Sequence, residues 1–156
     1  MSNTLSGTWY NQLGSVMILN VQNGALSGTY ESTVGSASGP YILTGRYDTA
    51  PPSGRGVSVG WVVTFQNQER NAHSTTTWSG QYFNAGGERI LTHWLLTSST
   101  LPKDVWKSTN LGTDTFIRTR PSPAEIATAR SLTVCSPDPE DILAMMNLTP
   151  DPWFAY

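Results

Sequence analysis

The chain has 156 residues, 13% of them charged, with a formal net charge of −2, six Trp, six Tyr, 14 Gly and a single Cys. That length fits one domain burying its own core without disulfide or metal. The charge balance excludes the basic face of a nucleic-acid binder, the lone Cys excludes an intrachain disulfide, and no apolar run approaches the ~20 residues of a helical membrane span.

The opening stretch, MSNTLSGTWY, lacks the basic and apolar blocks of a signal peptide. This leaves both a secreted protein with its leader removed and an intracellular one open. Strand-like alternation then runs over residues 7–12 and 16–22, separated by Leu13-Gly14-Ser15. Asn23-Gly24 is the strongest short hairpin signal and introduces a third strand over 26–33. A Gly- and Ser-rich loop leads to a fourth over 40–48, and Pro51-Pro52-Ser53-Gly54 to a fifth over 57–66. Strands over 73–83 and 89–97 flank the turn Asn84-Ala85-Gly86-Gly87, and a last one covers 111–119. Eight antiparallel strands in chain order predict an all-β, up-and-down barrel that closes its own edges, with a sandwich as the alternative.

Past residue 120 the pattern changes, so the expected division is a barrel over 1–120 and a short helical or disordered tail over 121–156. Ser122-Pro123-Ala124-Glu125 is a capping box with Pro at the first helical position, predicting a helix over 123–131. A second helix is expected from about Asp138, carrying Ile142, Leu143, Met145 and Met146.

Successive strand residues face opposite sides. The phases that bury the apolar residues also bury polar ones. One face of the sixth strand reads Ser74, Thr76, Trp78, where an ordinary core stripe would read Val, Ile, Leu. Asn11, Ser15, Tyr30, Ser32 and Asp114 share inward faces with Met17, Leu19, Trp61, Val63, Phe65, Trp94, Leu96 and Phe116. A buried polar group without a partner costs about 1–3 kcal/mol. Such groups either bond one another and trapped water, or converge on a ligand. For the whole set, beside Trp61, Trp78 and Trp94, a ligand is the better reading, because a small eight-stranded barrel has room for one.

Several words in one order carry a resemblance: GTWYNQLGS (7–15), SGTYES (27–32), LTGRYD (43–48), NAHSTTTWSGQY (71–82), WLLTSST (94–100), WKST (106–109) and DTF (114–116). Over about residues 7–120 the chain resembles the avidin/streptavidin family, with the bacterial streptavidin branch nearest. The resemblance implies an eight-stranded barrel that binds biotin, usually as a homotetramer, with no cofactor and no metal. It implies that Asn11, Ser15 and Tyr30 point donors at the ureido oxygen, and that Asp114 and Ser32 accept from the ureido nitrogens. Thr76 would face the ring sulfur. Ser74 would bond the valerate carboxylate, with the loop around Val34 and Ser36 supplying a backbone N–H. Trp61, Trp78, Trp94 and Leu96 would wall the cavity, and Trp106 would reach in from a neighbouring subunit. Ser36 stands where the streptavidin branch has Asn. Thr113 replaces a His beside the aspartate and His93 a Gln before Trp94, departures that bear on assembly.

Other functions find less support. Two His and one Cys at no ligand spacing offer no metal site. No P-loop is present, and His73 and Ser74, adjacent on one strand, face opposite sides. A barrel carrying another small apolar ligand is the alternative function, but it would not need converging hydroxyls and an Asp.

Overall fold

The computed structural model describes residues 5–33 and 39–132. Within them eight antiparallel strands, joined in chain order, form a closed barrel rather than a sandwich. The strands are β1 (Gly7–Asn11), β2 (Val16–Gln22), β3 (Ala25–Glu31), β4 (Tyr41–Tyr47), β5 (Val57–Gln66), β6 (Asn71–Phe83), β7 (Arg89–Ser98) and β8 (Thr109–Ile117). Each coincides with an expected strand to within two residues at either end. The Asn-Gly turn behaves as its chemistry demands: Asn23 and Gly24 both take positive φ, and Gln22 pairs with Ala25 across them.

Two helical pieces accompany the strands among the described residues. A six-residue 3-10 helix, Pro102–Lys107, lies between β7 and β8 and was not expected. It is too short to show a period, although Pro at its start fits a helix entry. The α-helix α1 spans Pro123–Ser131, as expected. Its capping box is formed in both directions: Glu125 N–H donates to Ser122 Oγ at 3.3 Å, and Ser122 N–H donates to Glu125 Oε2 at 2.7 Å. The second helix expected near Asp138 lies outside the described residues.

Period-two alternation places the apolar stripes inside. Trp9, Met17, Leu19, Tyr30, Val63, Phe65, Ile90, Leu96 and Phe116 are completely buried. The register steps at Thr64–Gln66, where β5 and β6 lose their regular pairing, and His73 just beyond takes φ 49° on the exposed side.

Antiparallel order collects the start of β1, the β6–β7 turn and the end of β8 at one end of the barrel, which is closed by its own side chains. Trp9 Nε1–H donates to Leu5 O at 2.9 Å, and the Arg118 guanidinium lies 3.7 Å from the centre of the Trp9 ring. Arg118 also donates to Ser6 O at 3.0 Å and to both Glu88 oxygens, while Tyr82 O–H donates to Glu88 Oε1 at 2.9 Å. The Arg118 bond is the largest cause holding the Glu88 carboxyl below its ordinary value near 4.5; burial raises it partly back, and the Tyr82 bond lowers it.

A carboxyl whose folded value lies below its unfolded one stabilises the fold above the unfolded value. That contribution disappears as pH falls through the folded value. Chemical denaturation of the wild type and Glu88→Gln is therefore expected to give a stability difference at neutral pH that shrinks on acidification from about pH 6 to about pH 3. A difference that stays constant over that range would show that the Arg118–Glu88 contact contributes nothing to folding.

Candidate ligand site

Register builds the site before any single side chain does. Trp61 of β5 pairs with Trp78 of β6, and Trp78 with Trp94 of β7, so three indoles sit at one level of the barrel. Two residues along, Val63, Thr76 and Leu96 form the next row, and beyond it Ser74 pairs with Ser98. The Trp61 and Trp78 rings stack at 5.8 Å, and Tyr30 lies 5.1 Å from Trp78. On the far side of Trp94 stands Gly112 of β8, its register partner. A Cβ there would fall against the Trp94 ring, so the glycine is what lets that ring lie over β8.

The polar groups are fixed from several strands. At the end of β1, Asn11 Oδ1 accepts from Leu13 N–H at 3.1 Å and Ser15 N–H at 2.9 Å, holding a tight turn with Gly14 at φ 84°. That turns Asn11 Nδ2 toward Asp114 Oδ1, 3.4 Å away. Asp114 is buried in mid-β8. Its Oδ2 accepts from Trp78 Nε1–H and its Oδ1 from Gln12 Nε2–H, both at 2.8 Å. Thr92 Oγ1–H donates to the Asp114 backbone carbonyl at 2.9 Å. Indole, carboxylate and two amides thus form one network tying β1, β6 and β8 together.

Other interior groups have no such network. Among the described residues, Ser15 Oγ, Ser74 Oγ, Thr76 Oγ1, Trp61 Nε1 and Trp94 Nε1 are buried without a hydrogen-bond partner, as are Tyr47 OH and Ser98 Oγ. Hydroxyls can donate or accept, whereas indoles only donate. A buried polar atom left unpaired costs about 1–3 kcal/mol, so each of these calls for a partner.

Of the residues singled out in the sequence, Asn11, Ser15, Tyr30, Ser32, Trp61, Ser74, Thr76, Trp78, Trp94, Leu96 and Asp114 are all buried. Trp106, on the 3-10 helix, is 69% exposed in the single chain. Val34 and Ser36 lie outside the described residues. Two residues were missed. Thr92 shares the inward phase of β7 with Trp94 and Leu96, and spacing alone assigns it no role. Gln12 was passed over because alternation sends it outward from Asn11, and no local pattern shows its amide returning to Asp114. No group of three or more His, Cys, Asp or Glu among the described residues could hold a metal ion. A groove of about 590 Å³ lies outside the wall, bordered by Gln12, Thr113 and Thr115 on the barrel and by Thr128, Ala129 and Leu132 on the α1 side. None of the unpaired interior hydroxyls lines it.

A family model described as the Avidin family matches residues 1–119. Avidin-related protein 4/5 of Gallus gallus is 33% identical over 122 residues, 74% of this chain and 77% of that protein. Avidin of the same organism is 33% identical over 124 residues, covering 75% and 79%. Avidin-related protein 6 is 31% identical over 123 residues, with the same two coverages.

The Gly112 contact is open to test. Gly112→Ala is expected to displace the Trp94 ring, cost about 1–3 kcal/mol through overpacking and shift the tryptophan emission. Unchanged melting and emission would mean that the ring does not depend on the missing Cβ.

Proposed function

The chain belongs to the avidin family, and from that premise we propose that its barrel interior binds biotin with high affinity and without turnover. The observation that carries the reading is the set of unpaired interior polar atoms beside the Asp114 network and the three-indole row. In this reading Asn11, Ser15 and Tyr30 donate to the ureido oxygen. Three donors on one carbonyl favour its polarised form, as in an oxyanion hole. Asn11 suits the task because the β1–β2 turn occupies its Oδ1 and leaves Nδ2 on the interior side.

Asp114 and Ser32 accept from the two ureido N–H groups, the carboxylate giving the stronger, charge-assisted bond. Thr76 faces the sulfur. Ser74 meets the ligand carboxylate, with a backbone N–H from the Val34–Ser36 loop beside it. Trp61, Trp78, Trp94 and Leu96 form the apolar wall. Residues 1–120 make up the binding unit, and 121–156 are an appendage to it.

Assembly into a homotetramer is part of the same proposal. The outer wall exposes Leu91, Leu95 and Leu111 on β7 and β8, together with Val105 and Trp106 on the 3-10 helix. This is an apolar surface that a second copy would cover, and Trp106 would then complete a neighbour's cavity. A carrier of an apolar ligand would leave Ser15, Ser74 and Thr76 unpaired, which is why biotin is preferred to the greasy alternative.

Titration with biotin, followed by heat and tryptophan emission together, is expected to break near one equivalent per chain. Asp114→Ala should weaken binding by at least about tenfold, the scale of one lost hydrogen bond to a charged group. Its effect on an apolar dye should be slight. Absence of both heat and a spectral change in the wild type would sink the reading.

A further inference from the structure

The barrel is not closed evenly. β7 and β8 pair over nine positions, from Arg89↔Ile117 to Thr97↔Thr109, whereas β1 and β8 pair only at Tyr10↔Ile117 and Asn11↔Phe116. After Asn11 the backbone leaves the sheet: Asn11 N–H donates to Ser15 O at 3.1 Å, and Gly14 N–H to Asn11 O at 3.0 Å. Next along β8, on the side facing β1, come Thr115 N–H and Thr113 C=O, with no β1 backbone to meet them.

Gln12 meets them with its side chain. Gln12 Oε1 accepts from Thr115 N–H at 3.0 Å, and Gln12 Nε2–H donates to Thr113 O at 3.3 Å. The primary amide thereby stands in for the missing peptide unit of β1. Its orientation is dictated rather than chosen, since Thr115 N–H can only donate and so must meet the oxygen. That forces Nε2 toward Asp114, and Nε2–H donates to Asp114 Oδ1 at 2.8 Å.

We propose that Gln12 is a positioning residue for the ligand site: one amide completes the β1–β8 seam and, through its second N–H, sets the Asp114 carboxylate. Asp114 Oδ2 is in turn held by Trp78 Nε1–H at 2.8 Å, so the seam also bears on the indole row. The residue type matters. Asn is one methylene short of reaching both β8 groups. Glu would present an acceptor to Thr113 O and a charge to Asp114. Met fills the same length without any hydrogen bond. The proposal rests on the biotin reading only where ligand affinity is measured.

The test uses Gln12→Met in the full chain, alone and with Asp114→Ala. In the ligand-free protein, nitrogen–proton spectra of the tryptophan indoles report Trp78, bonded to Asp114, and Trp9, bonded to Leu5 O at the opposite end. Gln12→Met is expected to move the Trp78 signal and speed its solvent exchange roughly tenfold, the scale of one lost hydrogen bond, leaving Trp9 unaffected. Equal changes at both indoles would mean general loosening, and no change at Trp78 would mean that Asp114 is set without Gln12; either overturns the proposal. Biotin affinity is expected to fall about tenfold in Gln12→Met and by nothing further when Asp114 is already Ala. A loss that persists without Asp114 also overturns it. If the wild type fails to bind biotin, the functional reading falls, and the indole measurement still decides the role of Gln12.

Discussion

Closure of the sheet is the constraint on which everything else in this molecule depends. Eight strands paired in a ring leave no free edge and divide all side chains into an outside and a sealed inside. Any polar atom on the inside must then find a partner there, because water reaches it only through the ends. The character of the interior follows from how completely that demand is met along the barrel.

At the end where the start of β1 meets the β6–β7 turn, most of the demand is met, although the buried Tyr47 hydroxyl has no partner there. Trp9 is bonded to Leu5, faced by Arg118 and edged by Tyr82, and Arg118, Glu88 and Tyr82 satisfy one another. Further along the barrel the same alternation delivers Ser74, Thr76 and two indoles whose polar atoms stay unpaired. Most of the unpaired interior groups thus lie away from the end that Arg118 closes. A well-packed end can offset part of the cost of an unsatisfied interior.

Much of this was legible in the sequence because strands signal themselves by a period of two, and the same period assigns faces. Ser74, Thr76 and Trp78 could be placed together inside from spacing alone, and Asn23-Gly24 and Ser122–Glu125 announced a turn and a helix start through local chemistry. What escaped detection was non-local. Gln12 has the outward phase, and its role appears only when β8, a hundred residues away, brings Thr113, Asp114 and Thr115 to it. The 3-10 helix is too brief for a period. Trp106 is mostly exposed in the single chain, so the part proposed for it rests on the proposed assembly.

In the proposed binding of biotin, the network around Asp114 and the unpaired hydroxyls would play different parts. Asn11, Gln12 and Trp78 hold the carboxylate in place in the unliganded chain, so little side-chain freedom remains to be lost when a ligand arrives. The unpaired groups act oppositely. Each raises the free energy of the empty barrel, and a ligand that satisfies them removes that cost on binding. Affinity built this way draws partly on instability of the empty state, so ligand binding and resistance to unfolding are coupled. Filling the same interior with Val and Leu would stabilise the empty barrel and leave nothing to reward a polar ligand. In the proposed reading, Ser15, Ser74 and Thr76 are retained inside a closed sheet because biotin completes them.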